Sequence, residues 1–432
     1  MIFNKVDEVK IGIVGLGRFI TSWTKIFKAH PKITYIAAAD FSEEKRNNYK
    51  DYLDNVYSSL DEMLEKDKEI NCILIFAQRH IHGSIAIQAL KAGKHVLSAV
   101  PMGITFDEIK EITEIVDRTG LIYMMAETCY YWPSAVWARE KFKTGAFGSF
   151  VYGAAQYYHT IQDMFKAYDL DNPKSRMEVG IPPMYYAMHS ISMLFSSIDD
   201  YATEVSCFGY EDKINPEFFG KGKNNWDNPF SNETAIFKMS KGGHGRINEF
   251  RRIGTIKPSS YISGIYGDDG CYEACGERHI FASSGKGPEP REQEGYICED
   301  VSREINNLLY YKENPGFEKV TTEYRYHVGF SPCQNYKKLP KELIELCDKC
   351  IEEDDLSTPG HNGSHFLIVD DFVRCCLSGK QHPLNAWASA RYCIPGIIAH
   401  DSAMQGGITL PIPDLGDMPD KFELMDYNDL EY

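Results

Sequence analysis

The sequence predicts an α/β protein with an N-terminal doubly wound parallel sheet, followed by an α/β domain built on a large, mostly antiparallel open sheet. Three observations carry this. Strand-like and helix-like segments alternate over the first ~125 residues. A glycine-bearing turn, Gly15-Leu16-Gly17, joins the first strand to the first helix. After Cys129 strand-like segments follow one another with few helices between them.

The elements follow in order. "KIGIVG" (10–15) is a short β-branched run that stops at glycine, as a buried parallel strand does. A helical stretch from about Phe19 to Ala29 comes next, then "ITYIAAAD", a strand ending in Asp40. "NCILIFA" is a third strand, "HGSIAIQALKAG" a helix and "KHVLSA" a fourth strand. "FDEIKEITEIVDRTG" has apolar residues at helical spacing and a terminal glycine, and "LIYMMAE" is a fifth strand. Beyond it, "SFVYGAAQYYHTI", "ATEVSCFGYE", "NETAIFKMS", "HGRINEFRRIG" and "YISGIYGDDGCYEACG" read as strands, and "SSGKGPEPREQEG" as a surface loop. "GHNGSHFLIVDDFVRCCLSGK" and "NAWASARYCIPGIIAHDSAMQGG" read as two closing helices. The expected division is residues 1–128 for the parallel-sheet domain and 129–432 for the antiparallel-sheet domain, whose last helices close on the first.

Composition narrows the function. Acidic residues outnumber basic ones 62 to 46, giving a net charge of −16, which disfavours nucleic acid and anionic membranes as partners. The run from Asp414 to Tyr432, with seven carboxylates and one lysine, reads as a solvated face. Residues 1–10 carry charges where a signal peptide needs an apolar core, and no apolar run has the length of a membrane helix. A cytoplasmic location and reduced thiols are therefore expected for the twelve cysteines. Cys347-x-x-Cys350 has no second pair at zinc-site spacing, so packed thiols are expected and no metal.

The turn at Gly15 and Gly17, with Arg18 and Phe19 next in it, stands where a dinucleotide loop belongs in a Rossmann fold: glycine permits close approach to a pyrophosphate, and the following helix supplies N–H donors. Ile20 replaces the third glycine of the usual fingerprint. Asp40 ends the second strand, where a carboxylate accepts from ribose hydroxyls and repels a 2′-phosphate. NAD is thus expected over NADP.

The segment "CILIFAQRHIHGSIAIQALKAGKHVLSAVPMGITFDEIKEI" resembles the Gfo/Idh/MocA family of nicotinamide-dependent oxidoreductases. His82 matches the histidine of the family's T-P-N-x-x-H, and "ALKAGKHVL" with Pro101 matches its A-L-x-A-G-K-H-V-x-x-E-K-P, while Arg79 replaces the asparagine and Ala99-Val100 replace Glu-Lys. The resemblance implies cofactor contacts from Arg79, His82 and Pro101. In ordinary members a lysine and a D-x-x-x-H motif hold the hydroxyl being oxidised. Here His189 is kept, but Tyr185 stands in the aspartate's place.

These departures are similar to the branch represented by the family 109 glycoside hydrolases, typified by NAD-dependent α-N-acetylgalactosaminidases. Val100-Pro101 matches its V-P, Tyr186 and His189 its Y-x-x-H, Glu127 its glutamate after the fifth strand, and Tyr157 and His159 its Y-x-H. The branch usually has glutamate where Ala99 stands. The resemblance implies hydrolysis through a redox cycle on a small glycoside: C3 is oxidised by NAD, the C2 proton is removed as the C1 substituent leaves, water adds at C1, and C3 is reduced again. His189 is the expected base for the C3 hydroxyl. Tyr186 or Tyr157 would take the C2 proton, and Glu127 or His159 would assist the leaving group.

Further candidates for contact with the sugar are His361 and His365, with Ser364 as a helix cap the alternative, and Arg246. Arg246, Glu249 and Arg252 also read as exposed ion pairs, and Trp387 as core packing or a neighbour of the nicotinamide. A homo-oligomer is expected, because the open sheet commonly supports assembly in this family. Two other functions stand beside hydrolysis: a glycoside 3-dehydrogenase that releases a keto sugar, and a non-catalytic NAD- or sugar-sensing regulator.

Overall fold

The structure, a computed structural model, describes residues 4–160, 180–253, 260–275, 278–284, 297–306, 330–331, 333–353, 355 and 357–429. Most of the surface loop expected at 283–295 lies outside them. The chain divides into two compact units. One comprises the described residues within Met1–Tyr131, Leu308–Ala390 and Leu415–Tyr432; the other comprises those within Trp132–Asn307 and Arg391–Asp414.

The first unit holds a six-stranded sheet. Its strands are β1 (Val9–Val14), β2 (Ile33–Ala39), β3 (Asn55–Tyr57), β4 (Cys72–Ile75), β5 (His95–Ser98) and β6 (Tyr123–Met125). Their order is β3-β2-β1-β4-β5-β6 and all pairs are parallel. The order reverses direction between β1 and β4, which opens a crevice at the carboxyl ends of those strands. Helices α1 (Thr21–Ala29), α2 (Glu43–Tyr49), α3 (Leu60–Lys66), α4 (His82–Lys91) and α5 (Phe106–Thr119) lie between the strands in sequence. β4 and β5 are buried at every position, as expected for strands covered on both faces. In α5, the Thr105 hydroxyl accepts from Glu108 N at 3.2 Å, Gly120 closes the helix in the left-handed region, and the Ile109, Ile112, Ile115 and Val116 stripe is buried.

The second unit is built on a nine-stranded sheet of order β14-β13-β12-β11-β7-β10-β9-β8-β15. Its strands are β7 (Phe150–Tyr158), β8 (Ala202–Glu211), β9 (Phe230–Met239), β10 (His244–Phe250), β11 (Ser260–Gly267), β12 (Gly270–Cys275), β13 (Arg278–Ser283), β14 (Ile297–Asp300) and β15 (Leu410–Pro411). Every pair is antiparallel except β7 with β10. After α6 (Pro133–Lys143), the helix α7 (Met188–Ile198) packs on β7, β10 and β11 and is buried at every residue. The short α8 (Ser302–Asn306) packs against α6 and β13.

The chain passes from the first unit to the second after Tyr131 and later returns to the first. Helices α9 (Lys341–Glu352) and α10 (Ser364–Ser378) pack on α1 within the first unit. The reason is apolar. α10 buries Phe366, Leu367, Ile368, Val369, Phe372 and Val373, and only a packed neighbour can cover so wide a face. The last helix, α11 (Ala386–Met404), begins in the first unit and ends in the second. Trp387 is core, its ring 5.7 Å from Phe422. Cys347 and Cys350 are both buried on α9, where burial pushes the Cys347 thiol up to about 12.

Candidate active site

In the first unit the residues expected to hold a dinucleotide gather at the ends of β1, β2, β4 and β5. Gly15 has φ +99°, and a Cβ there would lie 2.6 Å from the Phe76 carbonyl, so any side chain would force the turn open. At Gly17 a Cβ would meet nothing within 4 Å: the backbone faces open space, as a surface for a pyrophosphate must. The buried Asp40 carboxylate accepts from Leu16 N at 2.8 Å through Oδ2 and from Ser42 N at 2.9 Å through Oδ1. It ties the glycine turn to the end of β2 and still has acceptor capacity on both oxygens. These features fit a dinucleotide bearing a free ribose diol.

Arg18 is exposed, and Phe19 sets its ring edge-on to Trp23 at 5.7 Å. Arg79 opens a 3-10 turn, Arg79–Ile81, that leads into α4. The structure gives His82 a bracing role: its ring nitrogens lie 2.9 Å from the Pro101 carbonyl and 3.0 Å from the Ala77 carbonyl, and the residue is buried. It thereby pins the loops that follow β4 and β5. Glu127, directly after β6, is fully buried, and its Oε1 accepts from Cys129 N at 2.8 Å.

His361 and His365 lie in the first unit beside the glycine turn. Their rings are 6.4 and 5.9 Å from Phe19, and His361 Nδ1 is 2.9 Å from His365 Nε2. His365 stacks on Trp23 at 4.2 Å and is 1% exposed; burial first, and His361 second, hold its pKa well below the usual imidazole range. Its neutral ring is packed among core side chains of the first unit. The cap position of α10 is Gly363, not Ser364.

In the second unit the structure brings four of the expected residues together. Tyr157 and His159 are two apart on extended chain and share a face, with ring centres 5.6 Å apart and planes 4° from parallel. Tyr186 ends the 3-10 turn Pro183–Tyr186 and His189 is the second residue of α7; their three-residue spacing sets the rings 5.0 Å apart, edge to face. Tyr157 joins the pairs, 4.6 Å from His189 and 6.1 Å from Tyr186. The turn is braced by the buried Glu233, which accepts from Met184 N at 2.8 Å and lies 2.8 Å from His400 Nδ1. Tyr185 packs edge-on to His400 and Trp226, and burial, then Asp401 and Glu233, push its phenol up to about 12. It stays protonated and does not stand in for a carboxylate.

Arg246 is three residues from Glu249 on β10, and the two-residue strand period puts it on the opposite face from Glu249 and its register partner Tyr157. Glu249 and Arg252 were expected in exposed ion pairs. Instead Glu249 pairs with Arg251 at 3.1 Å and Arg252 with Asp212 at 2.7 Å, all four buried. Arg251 is the residue that sequence reasoning missed: its guanidinium lies 4.2 Å from the ring centre of Tyr186 and 5.4 Å from that of Tyr157. The signal was alternation, which carries the Glu249 face to Arg251.

Residues 9–127 match the family described as "Oxidoreductase family, NAD-binding Rossmann fold", Gfo/Idh/MocA, and this part of the chain is an NAD-binding Rossmann fold. Over 95% of its length the chain is 22% identical to a "Glycosyl hydrolase family 109 protein 1" of Bacteroides fragilis, covering 86% of that protein. It is 20% identical to a "Glycosyl hydrolase family 109 protein" of Streptomyces filamentosus, covering 95% of this chain and 78% of that one. Among solved structures, a levoglucosan dehydrogenase in complex with NADH and levoglucosan superposes with a TM-score of 0.68 at 16% identity, covering 94% of this chain and all of that one. A myo-inositol 2-dehydrogenase from Lactobacillus plantarum gives 0.61 at 16% identity, with the same coverage.

Proposed function

We propose that this NAD-binding protein acts on sugars, and that it is a glycoside hydrolase working by transient oxidation at C3. The observation that carries the reading is the single aromatic group of Tyr157, His159, Tyr186 and His189 in the second unit. The family 109 names of relatives spanning most of the chain support the same reading. NAD, when bound, supplies a hydride acceptor at C3 and later returns the hydride. Gly15, Gly17 and Asp40 would hold it, with His82 fixing the loops alongside.

His189 takes the C3 hydroxyl proton, its ring standing among the two tyrosines as the general base. A tyrosine of the same group removes the C2 proton once C3 is a ketone, and Glu127 or His159 protonates the departing oxygen. Water adds to C1 of the enone, and reduction at C3 completes a net hydrolysis.

The test is incubation of the purified protein with aryl glycosides in D2O. Release of free phenol without any added lyase, with deuterium at C2 of the product sugar, is the expected result. Accumulation of keto-glycoside and NADH without phenol would instead make it a glycoside 3-dehydrogenase, and sugar binding without turnover a sensor.

A further inference from the structure

We propose that Arg251 is a positioning residue that holds Tyr186 poised as the phenolate, making Tyr186 rather than Tyr157 the base at C2. This rests on the functional reading above and goes beyond it by assigning the base and the cation that tunes it. Arg251 is 5% exposed, and its guanidinium lies 4.2 Å from the centre of the Tyr186 ring, against 5.4 Å for Tyr157. A phenolate spreads its charge into the ring, so a cation over the ring face favours the ionised form, and more strongly at the shorter distance.

Two contacts fix the cation. Glu249 pairs with it at 3.1 Å, and Arg251 N donates to the Ser231 carbonyl at 3.1 Å. Glu249 offsets part of the charge, and the guanidinium is the end of the pair that lies over both tyrosine rings. Groups facing Tyr186 in this unit include Tyr157 and, stacked behind it, His159 from the β7 segment; His189 from α7; and Arg251, paired with Glu249, beyond β10. The guanidinium is the permanent cation in that set, because arginine keeps its proton throughout the working pH range.

On the 3-keto sugar, the Tyr186 phenolate oxygen takes the C2 proton. The C–H electron pair becomes the C1=C2 double bond, and the C1–O pair leaves with the aglycone oxygen, which picks up a proton. A cation at the ring lowers the cost of keeping that base ionised between turnovers.

The test is a pH titration of protein labelled with 13Cζ-tyrosine, with the Tyr186 signal assigned by its loss in Tyr186→Phe. In the wild-type protein Tyr186 should ionise at least about one pH unit below exposed tyrosines, a tenfold difference in ionisation constant. Arg251→Lys should retain most of that offset. The paired change Arg251→Met with Glu249→Gln, which leaves no unpartnered charge in the interior, should move Tyr186 up by at least about one unit. A merely structural arginine would leave the ionisation of Tyr186 unmoved. A wild-type Tyr186 that titrates with or above the exposed tyrosines, or one indifferent to the paired change, overturns the proposal. The titration needs no substrate: a shifted Tyr186 without glycoside turnover would count against the functional reading alone, and turnover with an unshifted Tyr186 against this inference alone.

Discussion

His189 sits second in α7 with its ring 4.6 Å from Tyr157 and 5.0 Å from Tyr186, so in the proposed reaction a proton taken from a sugar hydroxyl would arrive among groups that can exchange it. Replacing it by alanine removes the proposed base and leaves the neighbouring rings. His189→Ala should lower kcat on an aryl glycoside by roughly 10²- to 10⁴-fold, the usual worth of a general base, while NAD binding measured by fluorescence quenching stays unchanged. Equal turnover in the variant would remove His189 from the site. At this scale the sequence was informative wherever short spacing fixes geometry. Tyr157-x-His159 on extended chain and Tyr186-x-x-His189 entering a helix each bring two rings to one side. It was less informative for Arg251, because a run of adjacent arginines does not say which faces inward until the strand's phase is known.

The short strand β5 carries a pH-sensitive element. His95 is buried, its Nδ1 accepts from Ile122 N at 3.0 Å, and burial lowers its pKa from about 6.5 to about 4. The fold thus holds the neutral ring, and as pH falls below about 6.5 the unfolded chain binds the proton first. Stability should drain between about pH 6.5 and 4 and level off below, a loss on the order of 3 kcal/mol from this group. His365, also held neutral by burial, adds in the same direction. Denaturant unfolding at pH 7.5 and pH 5 should show the loss. His95→Gln should be less stable at pH 7.5 yet show a smaller drop between the two; an undiminished drop would place the sensitivity elsewhere. Elements long enough to show a period were legible in the sequence: the stripe and closing glycine of α5 predict its extent closely. β3, only three residues long, was not, since so short an edge strand has no alternation to read.

The two units differ in how their sheets are finished. The parallel sheet has strands buried on both faces. On the nine-stranded sheet, α7 packs on one face across β7, β10 and β11. The other presents Phe208, Tyr210 and Ile236, which are 65%, 49% and 53% exposed and share one face by register. Apolar side chains grouped on an open sheet are costly to leave in water. The proposal here is that copies of the chain pair through this face. Phe208→Arg with Ile236→Asp should then reduce the mass measured by light scattering after size exclusion, while secondary structure by circular dichroism stays unchanged. A wild-type protein that elutes as a monomer would defeat the idea.

By itself the sequence determined the strand–helix alternation of the first ~125 residues and the tyrosine and histidine pairs, because each depends on spacing within a few residues along the chain; Asp40 was legible through its place at the end of the second strand of a recognisable βαβ pattern, although it meets the glycine turn across 24 residues. Tertiary structure decided what long-range packing decides. The described chain from 330 to Ala390 belongs to the first unit again, because the apolar face of α10 needs α1. His365 is a core ring against Trp23, a contact between residues far apart in the chain. His82 braces two carbonyls separated by some twenty residues. Arg251 meets Tyr186 across 65 residues of sequence, and no local pattern encodes that meeting; it follows from β10 pairing with β7 in parallel and from α7 packing across both.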